Sequence, residues 1–180
     1  MSDNKIIQKL KEGNKKYLNA KVNDGDISES IRKDTADNGQ HPYAVVVACS
    51  DSRVVPEDIF MTGIGELFTI RVAGNIITET QMGSIEYAVD HLKCEAVVVL
   101  GHTNCGAVGA ALEGDGEGAV KSLTDYIHLA IGGEKDYEKA CCLNAKVGAD
   151  KVREVLCKNG EGPAVEAAMY DIRTGEVKWI

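Results

Sequence analysis

The sequence has no long hydrophobic run. Its longest apolar stretches, Tyr43–Cys49 and Ala96–Leu100, are far shorter than the about 20 residues that a membrane-spanning helix needs. The segment Met1–Lys11 alternates charged and apolar residues, so it lacks the apolar stretch of a secretory signal. We therefore expect a protein that does not enter a membrane and that resides in the cytoplasm.

Positive charge is also scarce. The chain has 20 Lys and Arg residues against 28 Asp and Glu residues, and its formal net charge is -8. A chain of this charge repels phosphate backbones unless its basic residues cluster on one face, and the sequence shows no such cluster. We expect no nucleic-acid partner.

The chain further lacks internal repeats, low-complexity tracts and any linker long enough to divide it. Its 180 residues, 44% of them hydrophobic, can form one compact domain with a core of its own. Six cysteines in a cytosolic chain of this length are not expected to form a disulfide framework, because that compartment is reducing. Metal binding or catalysis is the better explanation for some of these cysteines.

Three apolar segments predict buried strands: Tyr43–Cys49, Glu66–Arg71 and Ala96–Leu100. Continuous β-branched runs are typical of parallel sheets that are covered on both faces. Between the second and third segments, Gly83–Lys93 has apolar residues at helical spacing, with Ser84 as the expected cap. This order predicts a β-strand, a crossover helix and a parallel β-strand.

The remaining segments complete an α/β prediction. We expect an N-terminal helix that needs a partner surface, a polar loop, three further helices and a tail of two short strands joined by a turn. The N-terminal helix is predicted over Ile6–Leu18 and the polar loop over Val22–Gln40. The three further helices are predicted over Cys105–Leu112, Val120–Ile131 and Tyr137–Leu156. The two short strands lie within Ala164–Ile180, with the turn at Arg173–Gly175. The predicted fold is a single domain with a central, mostly parallel sheet of four to five strands, flanked by helices and preceded by an N-terminal helical arm.

Two motifs place metal-binding side chains where a predicted strand ends. The first motif runs from Cys49 to Arg53 and the second contains His102 and Cys105. Zinc favours thiolate and imidazole ligands, and a catalytic zinc keeps three protein ligands and a fourth position open to water. Because the first and third strands of such a sheet can be neighbours, Cys49, His102 and Cys105 can share one ion.

Asp51 and Arg53 lie beside Cys49 on the same loop. Asp51 could accept a hydrogen bond from a water or hydroxide on the metal, or it could ligate the metal itself as a fourth ligand. Arg53 can hold the carboxylate in a bidentate pair, ionised and away from the metal. The donor set could also accept cobalt, or iron under anaerobic conditions.

These motifs, with several further segments, resemble the β-class carbonic anhydrases. The resemblance extends from about residue 39 to 112 and weakly over the tail. It is carried by Gly39-Gln40, Ala48–Val54, Gly65–Phe68, Arg71–Asn75, Gly83–Val89 and Gly101–Ala107. It implies one Zn²⁺ per chain on Cys49, His102 and Cys105. It also implies attack of zinc-bound hydroxide on carbon dioxide to give bicarbonate and a proton, reversibly, with an Asp51–Arg53 dyad orienting the nucleophile.

The same resemblance implies a substrate pocket formed by Gln40, Phe68, Tyr87 and Gly106. In the family, Phe68 and Tyr87 match positions that are often contributed across a dimer interface, and a glutamine at the position of Gln40 is typical of members whose resting zinc carries water. The resemblance further implies a homodimer, or a tetramer of dimers, in which the N-terminal helix wraps a neighbour. We accordingly divide the chain into a helical arm and loop, residues 1–40, and a zinc-binding catalytic α/β domain, residues 41–180.

Two departures from the family pattern and two competing functions remain. Val72 stands where many relatives have asparagine, and residues 113–163 contain few recognisable family residues. The same site could hydrolyse carbonyl sulfide or carbon disulfide, or the protein could bind bicarbonate or a partner without turnover. The intact Asp51 and Arg53 argue against a site without turnover. The other cysteines, Cys94, Cys141, Cys142 and Cys157, lack ligand spacing and are predicted to be structural thiols.

Overall fold

Five β-strands form the central sheet, as seen in a computed structural model that describes residues 4–114 and 116–180. The strands are β1 (Ala44–Ala48), β2 (Leu67–Arg71), β3 (Ala96–His102), β4 (Ala164–Tyr170) and β5 (Val177–Trp179). Their order across the sheet is β2-β1-β3-β4-β5; the first four strands in the chain are parallel, and β5 is antiparallel to β4. The predicted α/β class with a mostly parallel sheet is confirmed.

Strand β1 is buried on both faces because helices cover both sides of the sheet. Alternate side chains of a strand point to opposite faces. Val45 and Val47 accordingly contribute to one core cluster, and Val46 contributes to the other. The central strand β3 is buried at every position in the same way. This double burial explains why both segments are continuous apolar runs.

Seven α-helices accompany the sheet within the described residues. They are α1 (Lys5–Tyr17), α2 (Glu29–Asn38), α3 (Pro56–Ile59), α4 (Glu79–Asp90), α5 (Gly106–Glu113), α6 (Val120–Ile131) and α7 (Tyr137–Leu156). Helices α4, α5, α6 and α7 contribute buried side chains to the core on one face, and α1 and α3 contribute to the core on the other. A short 3₁₀ turn, Ala73–Asn75, joins β2 to the segment before α4. No helix in the described part of the chain is both long and apolar enough to span a membrane.

The prediction of a loop over Val22–Gln40 was wrong, because α2 lies within it. Ser28 caps this helix by accepting a hydrogen bond from the backbone N–H of Ile31 at 3.3 Å. The helix has no buried residue. Since it faces solvent, its sequence lacks the apolar periodicity from which helices are recognised.

The crossover helix begins earlier than predicted. Helix α4 starts at Glu79, and its cap is Thr78 rather than Ser84. The side chains of Thr78 and Gln81 form a reciprocal capping box, which satisfies the first backbone N–H groups of the helix. Ser84 lies inside the helix, where its hydroxyl donates to the carbonyl of Thr80 at 3.0 Å.

Helix α1 finds its partner surface on its own chain. Ile7 and Leu10 are buried in the core beneath the sheet. The buried side chain of Asn14 donates from Nδ2 to the carbonyls of Ile59 and Gly175 at 3.3 and 2.9 Å. Its Oδ1 accepts from the N–H of Val177 at 2.9 Å. The helix therefore packs against its own domain, and its wrapping around a neighbour stays a prediction.

The bonds of Asn14 predict a specific loss of stability. Asn14→Ala leaves two buried carbonyls and one buried N–H without partners, which should lower the free energy of unfolding by about 2–4 kcal/mol. Urea denaturation measures the change. The exposed Asn19, just beyond the end of α1, provides the control, since Asn19→Ala should change stability by less than about 0.5 kcal/mol. Equal stability of the two variants would contradict the role of Asn14.

Candidate metal centre

Three metal-binding side chains meet at the carboxyl edge of the sheet. Strands β1 and β3 are parallel neighbours, with Ala48 opposite Leu100, so both strands end at this edge. Cys49 directly follows β1, His102 is the last residue of β3, and Cys105 precedes α5. Their ligand atoms all lie within 4.8 Å of one another. No other such group of three or more Cys, His, Asp or Glu side chains occurs among the described residues.

His102 presents a free lone pair to the two thiols. The residue is fully buried, and its Nδ1 lies 2.9 Å from the carbonyl oxygen of Thr103. Because a carbonyl only accepts, Nδ1 carries the proton and Nε2 is the unprotonated nitrogen. Nε2 has no hydrogen-bond partner among the described residues although it is buried. A buried imidazole nitrogen without a partner, beside two thiols, fits a zinc ion.

The two buried thiols are not equivalent. A hydrogen bond from the thiol of Cys105, with smaller contributions from the backbone amides of Asp51 and Gly74, outweighs burial and lowers the pKa of Cys49 to about 4. The hydrogen bond to Cys49 and burial raise the pKa of Cys105. Ionisation of one thiol therefore disfavours ionisation of the other. A divalent cation between the two sulfurs would stabilise both thiolates.

Backbone amides support the sulfur of Cys49. The N–H groups of Asp51 and Gly74 point at Sγ, at distances of 3.4 and 3.3 Å. Gly74 has φ of 70°, and a Cβ atom there would lie 2.7 Å from Cδ1 of Ile127. The backbone conformation therefore favours glycine at this position, and a larger residue would also require the side chain of Ile127 to shift.

Asp51 and Arg53 form a bidentate pair, and Asp51 is not part of the ligand group. Oδ1 of Asp51 accepts from the backbone N–H and from Nε of Arg53, both at 2.9 Å, and Oδ2 accepts from Nη2 at 2.7 Å. These bonds hold the pKa of Asp51 well below its usual range. Both carboxylate oxygens are thus engaged by Arg53, so this geometry favours the arrangement in which Asp51 does not ligate the metal.

Arg71 organises the same loop, a role that the sequence did not indicate. Its Nε donates to the carbonyl of Cys49 at 3.1 Å, and its Nη2 donates to the carbonyl of Asp51 at 2.8 Å. Arg71 ends β2, opposite Ala48. The motif around Arg71 was recognised, but only the pairing of β2 with β1 shows what the guanidinium contacts.

The loop between His102 and Cys105 is anchored to β4 and the residues that follow it. The N–H of Thr103 donates to the carbonyl of Tyr170 at 3.0 Å, and the hydroxyl of Thr103 accepts from the N–H of Ile172 at 3.1 Å. Both partners lie more than 60 residues further along the chain. No local sequence signal could have identified them.

The structure brings only one of the four predicted pocket residues to the ligands. Gly106 follows Cys105 at the start of α5, and open space surrounds the position of a Cβ there. Gln40 is exposed and precedes β1, whereas Cys49 follows β1. The backbone of Gln40 therefore lies toward the amino-terminal end of the strand, opposite to Cys49. Its side chain makes no hydrogen bond with any described residue.

Phe68 and Tyr87 contact each other away from the ligands. Their ring centroids are 6.2 Å apart. Phe68 pairs with Val45 near the start of β1, three residues or about 10 Å before Ala48. Tyr87 is 48% exposed, and β2 is an edge strand of the sheet. The two rings therefore form an aromatic pair beside the edge strand β2, in which Tyr87 is exposed and Phe68 is half-buried against the core.

The site defines a class of protein, namely one with a candidate zinc centre of two cysteines and one histidine at the carboxyl edge of a parallel sheet. The profile of the family described as carbonic anhydrase matches residues 44–177. The chain belongs to this family, and its fold matches the β class.

Individual relatives agree with this assignment. The chain is similar to carbonic anhydrase 2 of Mycobacterium tuberculosis, with 44% identity over 111 residues, 62% of this chain and 53% of that protein. It is similar to the structure of the β-carbonic anhydrase CafA of Aspergillus fumigatus, with a TM-score of 0.71, 26% identity and coverage of 84% and 86% of the two chains. A structure described as one of two tetrameric β-carbonic anhydrases from Sordaria macrospora gives a TM-score of 0.66 at 25% identity, covering 84% and 91%. The chain spans about half the length of the curated relatives that it matches.

The constraint at Gly74 predicts a loss of metal affinity. Gly74→Ala strains the left-handed backbone at this position and adds a contact with Ile127, so the amide should be displaced from Sγ of Cys49. We expect zinc affinity to fall by about 10- to 100-fold, as measured by competition with a chromophoric chelator. Gly83→Ala is the matched control, because open space surrounds that position in α4 and affinity should be unchanged. Unchanged affinity in Gly74→Ala would contradict the role of this amide.

Proposed function

We propose that the chain binds one Zn²⁺ through Cys49, His102 and Cys105 and catalyses the reversible hydration of carbon dioxide to bicarbonate and a proton. The observation that carries the proposal is the buried, unpartnered Nε2 of His102 with two thiol sulfurs within 4.8 Å. Three ligands of these types leave one coordination position for water, as in catalytic zinc sites. The relatives named carbonic anhydrase support the reaction.

Asp51, Arg53 and Gly106 lie near the ligands and can act at the fourth coordination position of the zinc ion. A zinc ion held by Cys49, His102 and Cys105 would lower the pKa of a coordinated water from 15.7 to about 7 and would supply hydroxide near neutral pH. Asp51 would accept a hydrogen bond from this nucleophile and so fix its orientation. Arg53 keeps Asp51 ionised and directed away from the ligand group through the bidentate contact. The open space at Gly106 admits a small uncharged substrate next to Cys105.

We further propose that a second copy of the chain completes the pocket in a homodimer. Gln40, Phe68 and Tyr87 lie away from the ligands of their own chain. The exposed Tyr87 and the half-buried Phe68 form an aromatic pair beside β2, which is an edge strand of the sheet formed by the described residues. The similar protein from Sordaria macrospora is described as tetrameric, which supports assembly of this chain into an oligomer. A cytoplasmic location stays a prediction from the sequence.

Two alternatives keep the same metal site. Carbonyl sulfide or carbon disulfide could replace carbon dioxide, since both are linear and uncharged. A zinc protein that binds bicarbonate without turnover is the other alternative. The bidentate Asp51–Arg53 pair beside the ligands favours turnover, because binding alone does not require an oriented hydrogen-bond acceptor at the open position.

Removal of a ligand tests the metal and the reaction together. Cys49→Ala should lose stoichiometric zinc and should reduce carbon dioxide hydration to the buffer rate, because only two of the three donors remain. Metal analysis and a stopped-flow hydration assay measure the two effects. Cys157→Ala, which changes a cysteine at the end of α7, should retain both. Full activity in a metal-free sample would overturn the proposal.

Asp51 can be tested separately from the metal. Asp51→Asn should retain zinc and lose about 10- to 100-fold in hydration rate, because an amide cannot replace the charged acceptor. Arg53 lowers the pKa of Asp51, so the carboxylate stays ionised at every pH above its ordinary pKa of about 3.9. It gains a proton only when the pH falls below that ordinary value, through the lowered pKa. The rate profile between roughly pH 6.5 and 9 should therefore contain no step from Asp51.

The control for Asp51 is Asp37→Asn, an exposed change on α2 that should leave the hydration rate unchanged. An Asp51→Asn variant with the wild-type rate would exclude the proposed orienting role. Absence of any hydration above buffer by the zinc-loaded wild-type protein would favour the binding protein without turnover.

A further inference from the structure

Helix α7 directs two polar side chains toward the ligand-bearing loops. Tyr137 and Asn144 are seven residues apart, about two helical turns, so they lie on the same face of the helix. They belong to the part of the chain, residues 113–163, that has few recognisable family residues. Each side chain bonds to the backbone beside a different thiol ligand.

Tyr137 bonds to the backbone of Cys105. Its hydroxyl donates to the carbonyl oxygen of Cys105 at 2.8 Å, and the same oxygen accepts from the N–H of Gly109 at 3.0 Å. The ring lies against the first turn of α5, where a Cβ at Gly109 would be 3.3 Å from the tyrosine hydroxyl. Tyr137 therefore restrains the peptide that follows the ligand Cys105.

Asn144 acts in the same way near Cys49. Its side chain is 5% exposed, and Nδ2 donates to the carbonyl of Gly74 at 2.8 Å. Gly74 in turn donates its N–H to Sγ of Cys49 at 3.3 Å. Asn144 thus holds the residue whose unusual backbone conformation aims an amide at the sulfur.

Small residues bring α7 close enough to the sheet for these contacts. A Cβ atom on Gly101 of β3 would lie 3.1 Å from Cβ of Ala145, and one on Gly148 would lie 3.2 Å from Cγ1 of Val99. Larger side chains at these positions would push the helix away from β3. This close packing sets the distance from α7 to the loops that carry Cys49 and Cys105, and so allows Tyr137 and Asn144 to reach them.

We propose that Tyr137 and Asn144 are positioning residues of the metal centre, and that α7 thereby sets the relative placement of the two thiolate ligands. This inference rests on the proposed zinc site of Cys49, His102 and Cys105. Groups that hydrogen-bond around metal ligands orient them, and their loss typically reduces metal affinity by about 10- to 100-fold. Each bond is made by a side chain to a carbonyl, so each can be removed without altering a ligand.

The test uses the full chain with Tyr137→Phe, which removes the hydroxyl and keeps the ring, and Asn144→Leu, which removes the amide at similar size. Zinc affinity is measured by chelator competition, and the cobalt-substituted proteins are compared by their thiolate-to-metal absorption. We expect each variant to bind zinc about 10- to 100-fold more weakly and to show altered cobalt absorption. Tyr126→Phe, a change to a 42% exposed ring on α6, should match the wild type in both measurements.

Several outcomes would overturn the inference. Tyr137→Phe with wild-type affinity and absorption removes the role of the hydroxyl, and a loss seen only in Tyr137→Leu would assign the effect to the ring. If Asn144→Leu does not fold, Asn144→Ser, whose hydroxyl is too short to reach Gly74, replaces it. A change in thermal unfolding of the metal-free variant without any change in cobalt absorption would show a merely structural role.

These measurements separate the inference from the proposed function. Neither zinc affinity nor cobalt absorption requires turnover. A wild-type protein that binds zinc but does not hydrate carbon dioxide would refute the proposed reaction and leave the positioning role intact. A fully active wild type with an unaffected Tyr137→Phe variant would refute the positioning role alone.

Discussion

The parallel pairing of β1 with β3 is the constraint on which the rest of the structure depends. The register places Ala48 opposite Leu100, so the residues that follow both strands emerge at one edge of the sheet. Cys49 and His102 come together for this reason, although they are far apart in the chain. The pairing in turn requires two fully buried strands, because the helices that cover them exclude water from both faces.

The side chains of Cys49, His102 and Cys105 are buried where β1 and β3 end, and this burial indicates what they bind. A histidine nitrogen without a partner is costly to bury unless something bonds to it, and two thiols lie beside it. The surrounding chain is arranged around that requirement: amides point at Cys49, and Arg53 occupies both oxygens of Asp51. A divalent cation would satisfy the three donors together, and the carboxylate of Asp51 lies outside the candidate ligand group.

The support for the ligands comes from distant parts of the chain. Strand β4 and the residues after it hold Thr103, and α7 holds the backbone beside Cys49 and Cys105 through Asn144 and Tyr137. Three of these four contacts join a side chain to the backbone and one joins two backbone groups, and none of them imposes a fixed spacing on the sequence. For this reason Tyr137 and Asn144 can support the candidate metal centre even though the family resemblance of residues 113–163 is weak.

The sequence by itself determined the class of the fold and identified the three candidate ligands. Continuous β-branched runs require burial on both faces, and the ligand types with their position after strands indicate zinc. The tertiary structure alone decided the rest. It revealed α2, whose helix has no buried face to leave a periodic signal, and it docked α1 onto its own chain through Asn14. It also separated Gln40 and Phe68 from the candidate ligands of their own chain. Strand direction and register determine at which end of the strands a residue lies, and both depend on contacts between residues far apart in the sequence.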